Sequence, residues 1–286
     1  MDAVGAVPGA ENPFQNPAVI VADWLGFIIL GGSSIILCYK LMGFYGSDNK
    51  QKYFIGYREE KMLSVYVNTF AAVVYWARVS AHANGDVGLA AYVHLLKYCD
   101  YCFTCPLLTL DLMWSLNLPY KFTYSIWVGI CIFSGIGSTK FQPPAKYMWF
   151  AFGMVIMFIV FWHIYSVVII RLNQIFCGST KKSANTLQIA CAVYFSIWWG
   201  FPVLWFLLEF GVIGHPVTLC MHTVLDVSAK SFYGFMLLSF QLQAEREEWI
   251  FLPLQPKIAW NENASETESQ ADVELGYNSE YGFTGG

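Results

Sequence analysis

Seven long apolar segments occupy most of the chain between residues 18 and 242, and they constrain its fold more than any other feature. Each segment is long enough to cross a bilayer as a helix, which takes about 20 residues. Only 13% of the residues are charged, whereas soluble domains carry about 25%. The pattern therefore predicts an all-α membrane protein, a bundle of seven transmembrane helices embedded in a lipid bilayer. The predicted spans cover roughly residues 18–42, 62–80, 89–116, 120–137, 146–172, 187–212 and 217–242.

The basic residues set the expected orientation, since cytoplasmic loops carry an excess of lysine and arginine. Eleven basic residues fall on the side of the C-terminus, and three (Arg78, Lys140 and Lys146) fall on the other. We therefore expect an extracellular N-terminus and a cytoplasmic C-terminus in a multi-pass protein of the plasma membrane. Residues 1–17 are interpreted as an extracellular segment, 18–244 as the membrane domain, and 245–286 as an acidic, mostly disordered cytoplasmic tail.

The net charge and the cysteine spacing limit the kinds of partner that the protein can bind. The net charge is −4 and the sequence contains no stripe of basic residues, which argues against a nucleic-acid partner. The eight cysteines lie mostly in apolar segments and show no zinc-binding spacing. We expect free, buried thiols and no metal site.

The seventh segment carries two opposite charges, Asp226 and Lys230, one helical turn apart in the run LDVSAK. Charges at this depth are costly, so they face a partner, a cavity or a ligand. One interpretation is a structural ion pair. The other is a lysine that reacts with an aldehyde to form a Schiff base, with the aspartate as its counterion, because a buried lysine tends to lose its proton and become nucleophilic.

The third segment carries the matching acidic groups. Asp100 and Thr104 are one turn apart on one face, and Asp111 lies about three turns, roughly 16 Å, further along. Lys97 lies one turn outward of Asp100, where it is expected to pair with the carboxylates. A carboxylate on each side of a buried amine is the arrangement that a proton relay needs.

The sixth segment supplies an aromatic face. Trp198 and Trp205 are seven residues apart, with Phe201 and Pro202 between them. Pro202 is expected to kink the helix, because it removes one backbone hydrogen bond. The aromatic side chains either pack in the core or form a flat apolar pocket for a conjugated molecule; the nearby buried amine favours the pocket.

These motifs together, LDVSAK, DxxxTxP with a later aspartate, and WxxFPxxW, resemble the microbial (type 1) rhodopsins over all seven segments. The resemblance implies a transport or sensory protein that is not an enzyme. It also implies all-trans retinal bound to Lys230 as a protonated Schiff base, with Asp100 and Asp226 as counterions and Asp111 and Asp100 in proton transfer. The implied retinal contacts are Tyr101, Thr104, Cys105, Phe133, Gly137, Trp198, Phe201 and Trp205.

Further stretches, among them YFIGYREE from residue 53, GDVG from residue 85 and YCFTCP from residue 101, resemble the bacteriorhodopsin-like cation channelrhodopsins of cryptophyte algae. That resemblance implies a light-gated channel for Na⁺, H⁺ and K⁺ in a homotrimer. Acidic and polar groups favour cations in such a path. The expected ion pathway contains Glu59, Glu60, Asn68 and Lys97, with Asp100 and Asp226. Glu59 and Glu60 are equally well interpreted as a solvated helix end.

Three departures qualify the resemblance. Lys97 stands where proton pumps have arginine, and lysine lacks the guanidinium fork. Ile130 and Cys131 stand where chlorophyte channelrhodopsins place an aspartate opposite the cysteine, here Cys105. Leu219, with Lys97, replaces the aromatic filter of potassium-selective relatives.

Two alternative functions remain. One is an outward proton pump, which suits the Asp100–Thr104–Asp111 set equally well, and the other is a sensory photoreceptor. An amine receptor is disfavoured, because Lys230 would repel an amine.

Overall fold

The protein is described here by a computed structural model, in which residues 13–45, 61–85, 87–116, 121–178 and 181–246 are described. These residues are helical apart from short turns, and they contain no strand. A single 3₁₀ turn, Pro13–Gln15, precedes the first long helix. The long helices are α1 (Pro17–Tyr45), α2 (Leu63–Ala83), α3 (Val87–Ser115), α4 (Lys121–Lys140), α5 (Ala145–Gly178), α6 (Lys181–Glu209) and α7, which consists of His215–Val227, Ser228–Phe232 and Tyr233–Arg246 in succession.

Each of the seven predicted spans coincides with one of these helices, so the predicted all-α, seven-helix fold is confirmed. Among the described residues, α1, α4, α5 and α6 are long and apolar enough to cross a membrane by length and composition alone. The charged residues of the predicted site lie on α3 and α7 instead. The charged groups of that site, Lys97, Asp100, Asp111, Asp226 and Lys230, are buried inside the bundle.

Side-chain contacts near the helix ends show that successive helices alternate in direction. Arg78, near the end of α2, contacts Asp23, near the start of α1. Ser64, at the start of α2, contacts Asp111, near the end of α3. We use "outer end" for the end of the bundle where α1, α3, α5 and α7 begin, and "inner end" for the opposite one. These names follow the predicted orientation, which stays a prediction.

Two glycines allow tight turns at the outer end. Gly85, between α2 and α3, has a φ of +65°, and Gly211, between α6 and α7, has a φ of +67°. A residue with a side chain rarely adopts this left-handed conformation. Both turns therefore depend on glycine to reverse the chain.

The seventh helix changes its pitch in the middle. Residues Ser228–Phe232 form a π turn with Lys230 at its centre. π turns are rare and are often found at functional sites, because the wider turn re-aims the side chains that follow. In contrast, α6 continues as a helix through Pro202, and α3 through Pro106.

Candidate functional site

Lys230 lies between two carboxylates at the centre of the bundle. Its Nζ atom forms an ion pair with Oδ2 of Asp100, on α3. Oδ1 of Asp226, one turn outward on α7, is 3.6 Å from the same nitrogen. All three residues are 1% exposed. A buried amine of this kind is stable only because its charge is compensated at close range.

A tyrosine that the sequence analysis missed completes this arrangement. The hydroxyl group of Tyr75, on α2, donates a hydrogen bond of 2.8 Å to Oδ2 of Asp226. Tyr75 is 1% exposed. The sequence signal that could have found Tyr75 is its spacing, since Tyr75 lies two helical turns from Asn68 on the same face of α2.

Asn68 holds the backbone of the π turn. Its Nδ2 atom donates to the carbonyl oxygen of Lys230 at 2.9 Å. The hydroxyl group of Ser231 donates to Oδ1 of Asn68 at 2.8 Å. Asn68 was expected in an ion pathway; in the structure it is fully buried and fixes the position of the lysine.

Asp111 is the centre of a polar network toward the inner end. It accepts hydrogen bonds from Ser64 on α2 (2.6 Å) and from Gln241 on α7 (2.8 Å). The Gln241 amide also donates to the hydroxyl group of Ser115, at 2.6 Å. Asn68 donates to the carbonyl oxygen of Ser64, at 2.8 Å. Buried hydrogen bonds therefore connect the backbone of Lys230 to the last turn of α3.

A cavity of about 370 Å³ lies beside the site, between α3, α4, α5, α6 and α7. Its volume is within the usual range for small-molecule pockets, about 300–1,000 Å³. The ring of Tyr101 connects the two, because it lines the cavity and its centroid is 5.1 Å from Nζ of Lys230. Five of the expected contact residues line the cavity: Tyr101, Cys105, Trp198, Phe201 and Trp205.

The aromatic walls are held by other aromatic side chains. Trp205 stacks on Phe150 of α5 with a centroid distance of 3.9 Å and an interplanar angle of 11°. Phe201 meets Tyr101 edge to face at 5.4 Å. Phe150, Met154 and Met157 of α5 also line the cavity, and the sequence analysis did not find them because the fifth segment is apolar throughout.

Two expected contacts on α4 lie elsewhere. Phe133 is 62% exposed on the outside of the bundle and does not line the cavity. Gly137 packs against α5, where a Cβ atom would lie 2.6 Å from the Trp149 ring. The residues of α4 that do line the cavity include Ile132 and Gly135. An apolar sequence does not reveal which side of a helix faces inward, so the retinal contacts of Phe133 and Gly137 stay predictions.

Thr104 and Lys97 also differ from expectation. Thr104 is buried, and its hydroxyl group donates to the Asp100 carbonyl oxygen at 2.8 Å; it is not among the residues that line the cavity. Lys97 is 4% exposed, faces the cavity, and lies 5.5 Å from the Tyr101 ring. Within the described part of the chain, Lys97 has no carboxylate within 4.0 Å, so the expected pairing is not made. Glu59 and Glu60 lie outside the described residues.

The fold and the site define a seven-helix membrane protein with a lysine–carboxylate centre beside an aromatic pocket. The family model described as bacteriorhodopsin-like protein matches residues 24–244, and the chain belongs to this family of microbial rhodopsins. Members of the family are multi-pass membrane proteins that bind retinal through a Schiff base and act as ion pumps, channels or sensors, not as enzymes.

Similar proteins agree with this assignment. Archaerhodopsin-1 of Halorubrum ezzemoulense is 28% identical over 245 residues, which cover 79% of this chain and 90% of the relative. Archaerhodopsin-3 of Halorubrum sodomense is 29% identical over 227 residues, which cover 75% and 83% of the two chains.

Two solved structures show the same fold. The cyanorhodopsin of Calothrix sp. NIES-2098 has a TM-score of 0.64 and 19% identity, over 79% of this chain and 97% of that one. A light-driven proton pump from Leptosphaeria maculans also has a TM-score of 0.64, with 18% identity over 80% and 96% of the two chains.

Proposed function

We propose that the protein is a light-gated cation channel of the cryptophyte bacteriorhodopsin-like type, with all-trans retinal bound covalently to Lys230. The polar network at the inner end is the observation that supports this proposal best. Buried polar groups of Asn68, Ser64, Asp111, Ser115 and Gln241 extend from the lysine to the last turn of α3. Water and cations can enter such a route once it widens, whereas an apolar barrier would exclude them.

The residues present fit retinal. Lys230 would hold it through its amine, and Tyr101, Cys105, Trp198, Phe201 and Trp205 would pack against its chain. When bound, retinal supplies absorption of visible light and an isomerisation that changes its shape. The apolar, aromatic walls suit a conjugated hydrocarbon, and Asp100 and Asp226 would compensate a positive charge on the Lys230 nitrogen that holds it.

The carboxylates act as proton acceptors and donors. After illumination, the N–H bond at Lys230 breaks and an O–H bond forms on Asp100 or Asp226, the carboxylates nearest to that nitrogen. This transfer removes both charges of an ion pair from the centre of the bundle. Asp111, on the inner side, is the proposed donor for the return step: in its protonated form the O–H bond breaks, an N–H bond forms again at Lys230, and Asp111 then takes up a proton from the inner end.

Loss of this ion pair weakens the contacts between α2, α3 and α7, which all meet at the site. Asp226 holds α2 through Tyr75, and Asn68 holds the Lys230 backbone. A hydrated route for Na⁺, H⁺ and K⁺ then opens along these helices, lined by Asn68, Asp100 and Asp226. In this proposal the protein lies in the plasma membrane with its N-terminus outside and forms a homotrimer.

An outward proton pump is the second candidate. Asp100 lies outward and Asp111 inward along α3, as a pump requires, and the similar solved structures include light-driven proton pumps. A pump differs from a channel in that its current keeps one direction regardless of the ion gradients.

Whole-cell patch clamp under visible light separates the two. The channel predicts a photocurrent that changes sign near a cation equilibrium potential, and that shifts when external sodium is replaced by a large organic cation. An outward current at every voltage would establish the pump instead. An intact visible pigment without any current would favour a sensor.

A further inference from the structure

A second buried charge cluster lies between α1 and α2, outward of the Lys230 site. Oδ1 of Asp23 is 2.5 Å from Nη2 of Arg78. Oδ2 of the same carboxylate is 3.0 Å from Nε2 of His82. Asp23 is 0% exposed and Arg78 is 1% exposed. The retinal cavity does not include any of these three residues.

Tyr75 connects this outer cluster to the site. The Cζ atom of Arg78 lies 4.4 Å from the centroid of the Tyr75 ring, in a cation–π contact. The hydroxyl group of the same side chain donates to Asp226. Direct contacts therefore extend from Lys230 through Asp226, Tyr75, Arg78 and Asp23 to His82, in the last turn of α2.

Gly26 of α1 provides the space that Tyr75 needs. A Cβ atom at position 26 would lie 2.4 Å from Cε1 of Tyr75 and 3.1 Å from Cγ2 of Thr223 on α7. Both distances are shorter than ordinary van der Waals contact. The tyrosine thus fills the junction of α1, α2 and α7, and any route along these helices toward the outer end passes it.

A buried arginine on this route is an electrostatic barrier to cations. Arginine keeps its proton in proteins, so it can respond to its surroundings only by moving. When a proton from Lys230 neutralises Asp226, the Tyr75 hydroxyl group loses a charged acceptor. A hydrogen bond to a charged group is stronger than one to a neutral group, so the hold on Tyr75 and on the arginine above its ring weakens.

We propose that the Asp23–Arg78 pair is the outer gate of the cation route, and that Tyr75 couples this gate to the charge on Asp226. The inference rests on the proposed channel function. Asp23 and Arg78 are gating residues, and Tyr75 is a positioning residue that acts through them.

The test measures channel closing after the light is switched off, in cells that express the full chain. Asp23→Asn, Arg78→Gln, Tyr75→Phe and the double variant Asp23→Asn/Tyr75→Phe are compared with Glu209→Gln. The last variant removes a carboxylate from an ion pair at the same end of the bundle, Lys146–Glu209, which is half-buried and has no contact with Tyr75. Visible absorbance of each purified variant reports folding; Arg78→Lys replaces Arg78→Gln if that variant gives no pigment.

We expect Asp23→Asn and Tyr75→Phe each to change the closing rate by about tenfold, a difference of about 1.4 kcal/mol in the barrier. Because both act on one gate, the double variant should change the rate by much less than the product of the two single effects. Glu209→Gln should leave the rate within about twofold of the wild type.

Two results would overturn the proposal. A closing rate within twofold of the wild type in pigmented Asp23→Asn would exclude a gate at this pair. Effects of Asp23→Asn and Tyr75→Phe that simply multiply would exclude coupling through Tyr75. If the wild-type protein carries no passive current, the proposed channel function is rejected, and the proposed gate is rejected with it. The coupling is then decided separately by the recovery of absorbance after a flash, in the same variants of the purified protein.

Discussion

Gln241 donates a hydrogen bond of 2.8 Å to Oδ1 of Asp111 and thereby joins α7 to α3 about three turns inward of Lys230. The same amide donates to Ser115 at 2.6 Å. Both acceptors are on α3, so one side chain ties the helix that carries the lysine to the helix that carries both carboxylates of the proposed relay. The position of Asp111 relative to the lysine depends on this contact.

Replacing Gln241 with leucine should slow the return of a proton to Lys230 and prolong the light-induced state. The Asp111 carboxylate would lose one of its donors, and a buried group without its partner costs about 1–3 kcal/mol. Flash photolysis of the purified protein measures the recovery. Gln188→Leu, on the exposed face of α6, is the matched control and should recover at the wild-type rate. Equal recovery in both variants would contradict the proposed role of Asp111.

Replacing Lys230 with alanine should abolish visible absorbance after incubation with retinal, because the amine that attaches the chromophore is removed. Lys97→Ala should retain a pigment, since Lys97 faces the outer part of the cavity without contacting the attachment site. A visible band that survives in Lys230→Ala would exclude covalent attachment at this position.

Two phenylalanine substitutions test which residues contact retinal. Phe201→Ala removes a ring that lines the cavity and packs on Tyr101, so it should shift the absorption maximum and weaken retinal binding. Phe133→Ala changes a side chain that is 62% exposed on the outside of the bundle, so its spectrum should match the wild type. The opposite pattern would restore the sequence-based expectation for Phe133.

Gly26→Ala should displace Tyr75 from Asp226, because the new methyl group would overlap the tyrosine ring. The expected result is a shifted absorption maximum and a lower thermal stability, by about 1–3 kcal/mol as is typical of overpacking. Gly32→Ala is the matched control on the same helix, since a Cβ atom there meets no atom within 4 Å. Spectra that are identical for the two variants would show that Tyr75 adjusts without cost.

Two ion pairs at the outer end should differ in their contribution to stability. Lys146 and Glu209 are 23% and 21% exposed, and pairs accessible to solvent contribute about 0–1 kcal/mol. Removal of one partner of a buried pair costs about 3–5 kcal/mol, which is the expectation for Asp23→Asn. Thermal unfolding in detergent at low and high salt measures both. Only the Glu209→Gln effect should diminish with salt, because solvent ions screen exposed charges.

The fold was predictable because its signals are local and repeated. Each apolar segment is about as long as a bilayer is thick, and this alone predicts a helix. Asp226 and Lys230 are four residues apart, so the geometry of a helix brings them together before any tertiary contact is considered. Asp100 was expected near the same amine because it lies at a matching depth in the third segment, and in the structure it forms an ion pair with Lys230.

The contacts of Asp111 were less predictable. Its depth in the third segment follows from the sequence, but Ser64 and Gln241 are 47 and 130 residues away along the chain. No local pattern marks a serine or glutamine as its partner. The same holds for Asp23 and Arg78, because the packing of α1 on α2 alone brings them within reach.

The sequence by itself determined the seven helices, the burial of the lysine and the presence of carboxylates near it, since hydrophobic length and helical periodicity are properties of adjacent residues. The tertiary structure alone decided which faces of the helices turn inward. It left Phe133 outside the cavity, brought the Tyr75 hydroxyl group into a hydrogen bond with Asp226, and turned Lys97 toward the cavity. The reason is physical. In an apolar helix every face suits lipid or core equally well, so rotation about the helix axis is set by close packing with neighbours that are distant in the sequence.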